Sequence, residues 1–264
     1  MLSGLIVYSK ADRDKNIWFI EKCIESLLSK GLVLIYKDEE DALDFIENNR
    51  IDFVIYRSRN YQTLEKMQAL GIRCFNSPLT NKIANDKFKT FEFLNEQRIP
   101  CVSSFLSCDK LSLPFIMKSI SGHGGQEVYL INDLKDIGLY KEPNKKYIYQ
   151  NYLENSGDLR VYVLGKKVIG AVLRSNKNDF RSNFSLGGDI KAYEPEQEIV
   201  DTAIRVAELL DADYIGVDFL NVGDNCLVNE IEDPVGARML FKASGIDVAS
   251  LFADYIYNAL IKKS

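Results

Sequence analysis

The sequence predicts an α/β segment followed by α+β segments, with boundaries near residues 78 and 150. Three observations carry this reading. Short β-rich runs alternate with helical periodicity up to about residue 76, the pattern of βαβ units around a small open parallel sheet. From about residue 101 to 149 the texture changes to strands flanking a glycine loop. Longer strands and an acidic hairpin dominate the remainder, so units are expected at 1–78, 79–149 and 150–264.

In the first unit, "GLIVYS" (4–9), "LVLIY" (32–36) and "DFVIYRS" (52–58) suit strands buried on both faces. Ile17, Ile20, Ile24, Leu27 and Leu28 recur at helical spacing between the first two, and Gly31 supplies a C-terminal stop. Helices over about 39–49 and 61–70 follow, and "RCFN" closes the sheet. "SPLTNKIANDKFKTFEFLNEQ" reads as a helix opened by Ser77-Pro78, with Ile83, Phe88, Phe91 and Leu94 on one face, Lys87 to one side, and Pro100 as terminator. "PFIMK", "EVYLI" and "YIYQNYL" read as strands, and "DLRVYVLGKKVIGAVLR" as longer ones. A helix from Pro195 to Leu210 and a terminal helix with Val248, Leu251, Phe252, Tyr255 and Ile256 inward complete the chain.

Composition narrows the function classes. The 264 residues are 46% hydrophobic and 27% charged, ordinary for a globular protein. A net charge of −5 argues against nucleic acid or an anionic membrane as the main partner. The apolar run Leu5–Tyr8 is too short for a signal-peptide core, and no stretch approaches a membrane span. Cys23, Cys74, Cys101, Cys108 and Cys226 form no C-x-x-C pair, which fits reduced thiols in a cytoplasmic protein.

The strongest chemical signal is "GVDFLNVGDNCLVNEIEDPVG" (216–236). A hairpin turning at Gly223-Asp224-Asn225 sets Asp218 across from Glu230, barring a bulge, and Glu232 shares that face. Like charges this close raise one another's pKa values and destabilise the ligand-free hairpin, so a cation is expected there. Hard oxygen ligands in this arrangement suit Mg2+, which binds through a few carboxylates and substrate phosphates. The bland reading is an exposed strand edge bearing acids.

Weaker signals point the same way. "PFIMKSISGHGGQEV" is strand, loop, strand, with Gly122, Gly124 and Gly125 free to bring backbone amides close to an anion, and with Lys118 ending the first strand. No G-K-[ST] follows, so this is not a Walker loop, and it reads equally as an ordinary hairpin. His123 reads as a loop residue rather than a base. Arg160, Arg174 and Arg181 fall on or beside strands and suggest a phosphate clamp. Together these residues point to a Mg2+-nucleotide site, with the reaction left open.

With those motifs in hand, the chain resembles the ATP-grasp superfamily, in particular its RimK-like carboxylate–amine ligase branch. The resemblance runs from about Asn76 to the C-terminus and rests on "NDKFKTFEFLNEQRIP", "PFIMKSISGHGGQEVYLI", "QNYLENSGDLRVYVLGKKVIGAV", "DFRSNFSLGGD" and "GVDF…VNEIEDPVG". It implies two α+β lobes sandwiching ATP behind a small N-terminal open-sheet domain. Carried over by position, Lys87, Lys118 and the loop glycines Gly124 and Gly125 would contact ATP phosphates. Gln150, Asn151 and Tyr152 would form the hinge reading adenine, and Asp158 would hold the ribose. Arg181, Ser182 and Asn183 would line the triphosphate end. Asp218, Glu230 and Glu232 would bind two Mg2+ ions (or Mn2+), and Arg160 and Arg174 would sit near the acyl-phosphate and its tetrahedral intermediate. The chain departs from the family at Glu232 (usually asparagine), Asn151 (usually acidic) and Glu127 (usually glycine), and its last proline falls one residue early.

The implied reaction joins a carboxylate to an amine, on a small amino acid or on a peptide or protein. ATP is converted to ADP and phosphate, and a homo-oligomeric enzyme is compatible with this reading. The competing reading is a non-catalytic ATP-binding scaffold or sensor.

Overall fold

The computed structural model describes residues 2–155, 157–176, 189–222 and 225–261. Arg181, Ser182 and Asn183 therefore lie outside the described residues. Strands β1 (Ser3–Tyr8), β2 (Val33–Asp38), β3 (Phe53–Tyr56) and β4 (Arg73–Phe75) form a parallel sheet in the order β2-β1-β3-β4. Helices α1 (Lys10–Leu28), α2 (Glu39–Asn48) and α3 (Tyr61–Ala69) connect them. Side chains alternate across the sheet. Leu5, Val7, Val54 and Tyr56 pack with Ala42, Ile46, Leu64 and Met67 on one face. Ile6, Tyr8, Phe53 and Ile55 pack on the other face with α1 and with the C-terminal helix α9 (Val248–Ile261), so the two ends of the chain share a core. The inward stripe of α1 is Phe19, Ile20, Cys23 and Leu27; Ile17 and Leu28, expected inward, are exposed.

The single helix expected after Ser77 is two. Ser77 caps α4 (Pro78–Ala84), its Oγ accepting the Thr80 amide at 3.2 Å. Asp86 then caps α5 (Lys87–Glu96), accepting the Phe88 and Lys89 amides at 3.1 and 3.0 Å. The extended backbone of Asp86 (φ −134°, ψ 106°) interrupts the helix, and its carboxylate accepts from amides that the restart leaves without a helical partner. The break puts Lys87 at the first position of the new helix rather than mid-helix.

Strands β5 (Phe115–Ser119), β6 (Val128–Ile131) and β7 (Tyr147–Asn151) form an antiparallel sheet, β6-β5-β7, with the short helix α6 (Ile137–Tyr140) between β6 and β7. Its core is small: Phe115, Met117, Ile131, Tyr147 and Tyr149. The third sheet joins β8 (Asp158–Leu164), β9 (Lys167–Ser175), β10 (Asp189–Tyr193), β11 (Tyr214–Val222) and β12 (Asn225–Glu232), antiparallel in the order β10-β9-β8-β11-β12. On one face Leu159, Val161 and Val163 meet helix α7 (Gln197–Leu209) through Ile199, Ala203 and Val206. The opposite face carries Asp158, Arg160, Asp218 and Glu232. Helix α8 (Arg238–Ser244) and α9 close the chain. On α9 the inward residues are Val248, Ala249, Phe252, Ala253 and Ile256, whereas Leu251 is exposed. Among the described residues, no helix is long and apolar enough to cross a membrane.

Candidate active site

The acidic hairpin sets the frame. Val222 pairs with Asn225, one step tighter than the sequence spacing suggested, and a bulge at Asp218/Phe219 then restores Asp218 opposite Glu230. The extra residue is Asn229, since Phe219 faces Val228. A bulge lets consecutive side chains turn to the same side. Asn229 and Glu230 accordingly both meet Lys118, whose Nζ lies 3.0 Å from Asn229 Oδ1 and 3.5 Å from Glu230 Oε1. Lys87 approaches the other oxygen of Glu230 at 3.5 Å and donates to the carbonyl of Gly122 at 2.6 Å, tying α5 to the glycine loop. Burial raises the Glu230 pKa, but the charges of Lys87 and Lys118 overcome it and hold the carboxyl below its usual value. Burial, aided by Lys87, pushes the Lys118 pKa down.

Next to it lies an arginine lattice. Arg160 sits across from Asp218 on β8 and donates to both of its oxygens at 2.6 Å, while its Nη2 also reaches Glu232 Oε1 at 2.6 Å. Arg174 sits across from Asp158 on β9, donates to it, and reaches Asp218 Oδ2 at 2.7 Å. Gly157 permits this close strand approach: its φ is +132°, and a Cβ there would lie 2.5 Å from the Arg174 carbonyl oxygen. Burial raises the Asp158 pKa despite Arg174. For Asp218, Arg160 and Arg174 outweigh burial and lower the carboxyl to about 2.

This corrects the expectation of mutual repulsion among the three acids. Asp218 and Glu230 are lowered rather than raised, because the chain's own arginines and lysines already stand between them. Among the described residues, no three acids, histidines or cysteines form a ready metal-ligand group, and Asp218 has both oxygens engaged by arginine. The donor chemistry still fits a hard divalent ion at Glu230 and Glu232. The lysines approach Glu230 only at 3.5 Å, and Arg160 takes a single oxygen of Glu232. The shared Arg160 also explains how the chain accommodates an extra negative charge at Glu232.

These groups border a cleft between the second and third sheets. Lys87, Lys118, Gly124, Gly125, Gln150, Asn151, Tyr152, Asp158, Arg174, Asp218, Glu230 and Glu232 all line it. The Gln150 side chain is held by Ser104 Oγ at 2.8 Å. Glu127, noted above as a departure from the resemblance, is drawn to Lys145. Sequence reasoning missed the apolar platform of Val102, Ile116, Val128 and Leu220 in the same cleft. A signal existed: Ile116 precedes Lys118 by two and Leu220 follows Asp218 by two, which places each pair on one strand face. Apolar walls at one end and cations at the other suit a flat base with a polyphosphate.

A second cavity of about 240 Å³ adjoins the first and shares Gly124, Arg174 and Glu232 with it. Arg160 lines this one, joined by Arg57 and Arg59 from the N-terminal sheet, which sequence reasoning also missed. Arg57 is fixed in place: it donates to the Val235 carbonyl and to Tyr8 Oη.

Residues 84–256 match the RimK-like ATP-grasp domain. The chain belongs to the RimK-like ATP-grasp family and is an ATP-grasp ligase. An uncharacterized Mycoplasma pneumoniae protein is 31% identical over 248 residues, covering 90% of this chain and 86% of that protein. A probable alpha-L-glutamate ligase of Haemophilus influenzae is 30% identical, covering 75% of this chain and 71% of that one. Human N-acetylaspartylglutamate synthase A is 32% identical over 75% of this chain and 55% of its own length. In fold, the chain is similar to D-alanine–D-alanine ligase from Bacillus anthracis complexed with ATP (TM-score 0.78, 15% identity, covering 100% of this chain and 98% of that one). It is also similar to the ATP-grasp ligase PsnB complexed with a minimal precursor (TM-score 0.73, 20% identity, full coverage of both).

Proposed function

We propose that the protein uses ATP to activate a substrate carboxylate as an acyl-phosphate and passes the acyl group to an amine, forming an amide and releasing ADP and phosphate. The carrying observation is that two cavities meet at Gly124, Arg174 and Glu232. A cation-lined nucleotide cleft whose polyphosphate end opens onto a second cationic chamber suits two-substrate chemistry. A sensor would need only the first.

Each residue has a physical task in this reading. Lys87 and Lys118 offset phosphate charge, and the loop closed by Lys87 on Gly122 shields the intermediate from water. The hinge Gln150–Asn151–Tyr152 and the apolar platform hold the base, with Asp158 at the ribose. Arg174, at the junction of the cavities, and Arg160, in the second of them, steady charge developing on the acyl centre. Glu230 and Glu232 would hold Mg2+, with Asp218 joining once its arginines turn to substrate; two ions are our reading. Bound there, Mg2+ supplies charge neutralisation at the transferring phosphoryl group. Attack by the carboxylate oxygen breaks the terminal phosphoanhydride bond, and attack by the amine nitrogen then expels phosphate and loses a proton.

Hydroxylamine tests the reading, because it substitutes for the amine and converts an acyl-phosphate to a hydroxamate. Hydroxamate formed in step with ADP over a panel of carboxylates is the expected result. Tight ATP binding with neither product would favour the sensor instead.

A further inference from the structure

Glu232 is the last residue of β12, and its pairing with Gly216 is the last rung of the ladder to β11. Past a final rung the sheet no longer fixes the backbone, and a strand end frays unless the next residue is anchored. That residue is Asp233, which is buried against three asparagines from one short stretch of chain.

The donors of this cluster are all directed. Asn76, just past β4, gives one Nδ2 hydrogen to Asp233 Oδ1 and the other to the Tyr214 carbonyl, both at 2.8 Å. Its Oδ1 accepts the amides of Asp213 and Tyr214 at 2.6 and 2.8 Å, which fixes the orientation of the side chain. Asn81 of α4 gives Nδ2 to Asp233 Oδ2 and to the Ser58 carbonyl, both at 2.9 Å. Asn85, at the end of α4, gives Nδ2 to the Asp233 carbonyl at 2.7 Å and to the Asn81 carbonyl at 2.9 Å. Both carboxylate oxygens and the carbonyl of a single residue are thus held at once.

Position along the chain makes this more than a buried knot. Asn85 precedes Lys87 by two residues, and Asp233 directly follows Glu232. The Asn85 bond therefore pins the corner between α4 and α5 to the end of β12. Across that corner Lys87 approaches Glu230 at 3.5 Å. A loosened corner would change the spacing of Lys87, Glu230 and Glu232 together, and Mg2+ demands near-ideal octahedral geometry from its oxygen ligands.

We infer that Asp233, clamped by Asn81 and Asn85, is the positioning residue for the metal side of the site, setting Glu230 and Glu232 against Lys87 at the spacing that Mg2+ and a polyphosphate require. This rests on the reading above that those two acids hold Mg2+. Asp233 acts through its neighbours, since its own carboxylate is engaged by Asn76 and Asn81.

The test titrates Mg2+ against binding of a non-hydrolysable ATP analogue, followed calorimetrically, in wild type, Asn85→Ala, Asp233→Asn and Thr80→Val. Asn85→Ala removes two hydrogen bonds of a half-buried side chain. Asp233→Asn keeps the size but turns an amide donor against the donors of Asn76 or Asn81. Thr80→Val is the control: it deletes a buried hydrogen bond of the same helix, from Thr80 Oγ1 to the Leu210 carbonyl, and leaves the cluster intact. All three should melt lower than wild type. The half-saturating Mg2+ is expected to rise about tenfold in Asn85→Ala and Asp233→Asn, as for lost partners behind a metal ligand, and to stay at the wild-type value in Thr80→Val. Should Asp233→Asn fail to fold, Asn85→Ala decides alone. Wild-type Mg2+ dependence in Asn85→Ala, or an equal rise in Thr80→Val, overturns the positioning role and leaves the metal reading standing. Analogue binding by wild type that ignores Mg2+ defeats the metal reading, and the positioning role falls with it.

Discussion

Arg160 joins Asp218 to Glu232, giving two 2.6 Å hydrogen bonds to the first carboxylate and one of the same length to the second. Removing it leaves a buried acid without its main counter-charge, which costs on the order of 3–5 kcal/mol. Arg160→Ala is therefore expected to unfold at markedly lower urea at pH 7, with added Mg2+ recovering part of the loss. The pH dependence has a definite sign. Asp218 is depressed to about 2, so its contribution is present above the unfolded value and fades as pH falls through the folded one. The variant's deficit should shrink on acidification. A deficit that is constant with pH would mean that the arginine acts by packing alone.

Lys118 is buried, and among the described residues its ammonium bonds Asn229 and Glu230 of the acidic hairpin, so it serves the cleft rather than the small sheet's core. In Lys118→Ala, the melting-temperature rise produced by ATP and Mg2+ should largely vanish. In the wild type that rise corresponds to about 2.7 kcal/mol at a hundredfold excess over Kd. An undiminished shift would move the phosphates elsewhere.

Arg174 spans Asp158 and Asp218 from a single guanidinium. Lysine keeps the charge but cannot fork to two partners. Arg174→Lys should stay folded and bind nucleotide within a few-fold of wild type, yet lose roughly two orders of magnitude in kcat. Wild-type kcat in the folded variant would remove Arg174 from the chemistry.

Glu230 receives both lysines, one on each oxygen, whereas Glu232 shares one arginine. Glu230→Gln is expected to abolish activity at any Mg2+ concentration. Glu232→Asn should retain activity and need more Mg2+, read as the half-saturating concentration at saturating ATP. Identical metal dependence in wild type and both variants would make these acids structural.

Asp213 joins Arg73 of β4 at 2.5 Å to Tyr255 of α9 at 2.8 Å, and burial raises its pKa to about 6 despite that arginine. A raised carboxylate destabilises the fold as pH climbs from its unfolded value of about 4 towards 6, by on the order of 2 kcal/mol. Asp213→Asn should flatten that slope in urea unfolding between those pH values. An unchanged slope would place the titration elsewhere.

Much of this site was legible because strands alternate: Asp218, Glu230 and Glu232 could be set on one face from spacing alone, as could Lys118 at a strand end. Their neutralisation was not legible. Arg160 and Arg174 meet Asp218 only because β8 lies between β9 and β11, a strand order that a linear sequence does not display. Local capping misled in one place, where Asp86 restarts a helix inside an apparently continuous pattern. Arg59 and Arg238 escaped notice for the same topological reason, since they sit far apart in sequence and meet across one cavity.

The core shared by the first sheet and α9 has a mechanical consequence. Phe75 stacks edge-on against both Phe53 and Phe252, and Arg57 grips the Val235 carbonyl, so the N-terminal sheet and the acid-bearing sheet form one anvil. The small sheet has its own five-residue core and meets that anvil through sparse links such as Lys118 to Asn229. Opening and shutting the cleft should then be a rocking of the small sheet alone, with the second cavity's N-terminal wall staying in register with the metal-side acids throughout. Amide exchange would reveal this division: ATP and Mg2+ should slow exchange in β5–β7 and the glycine loop, and leave β1–β4 unchanged.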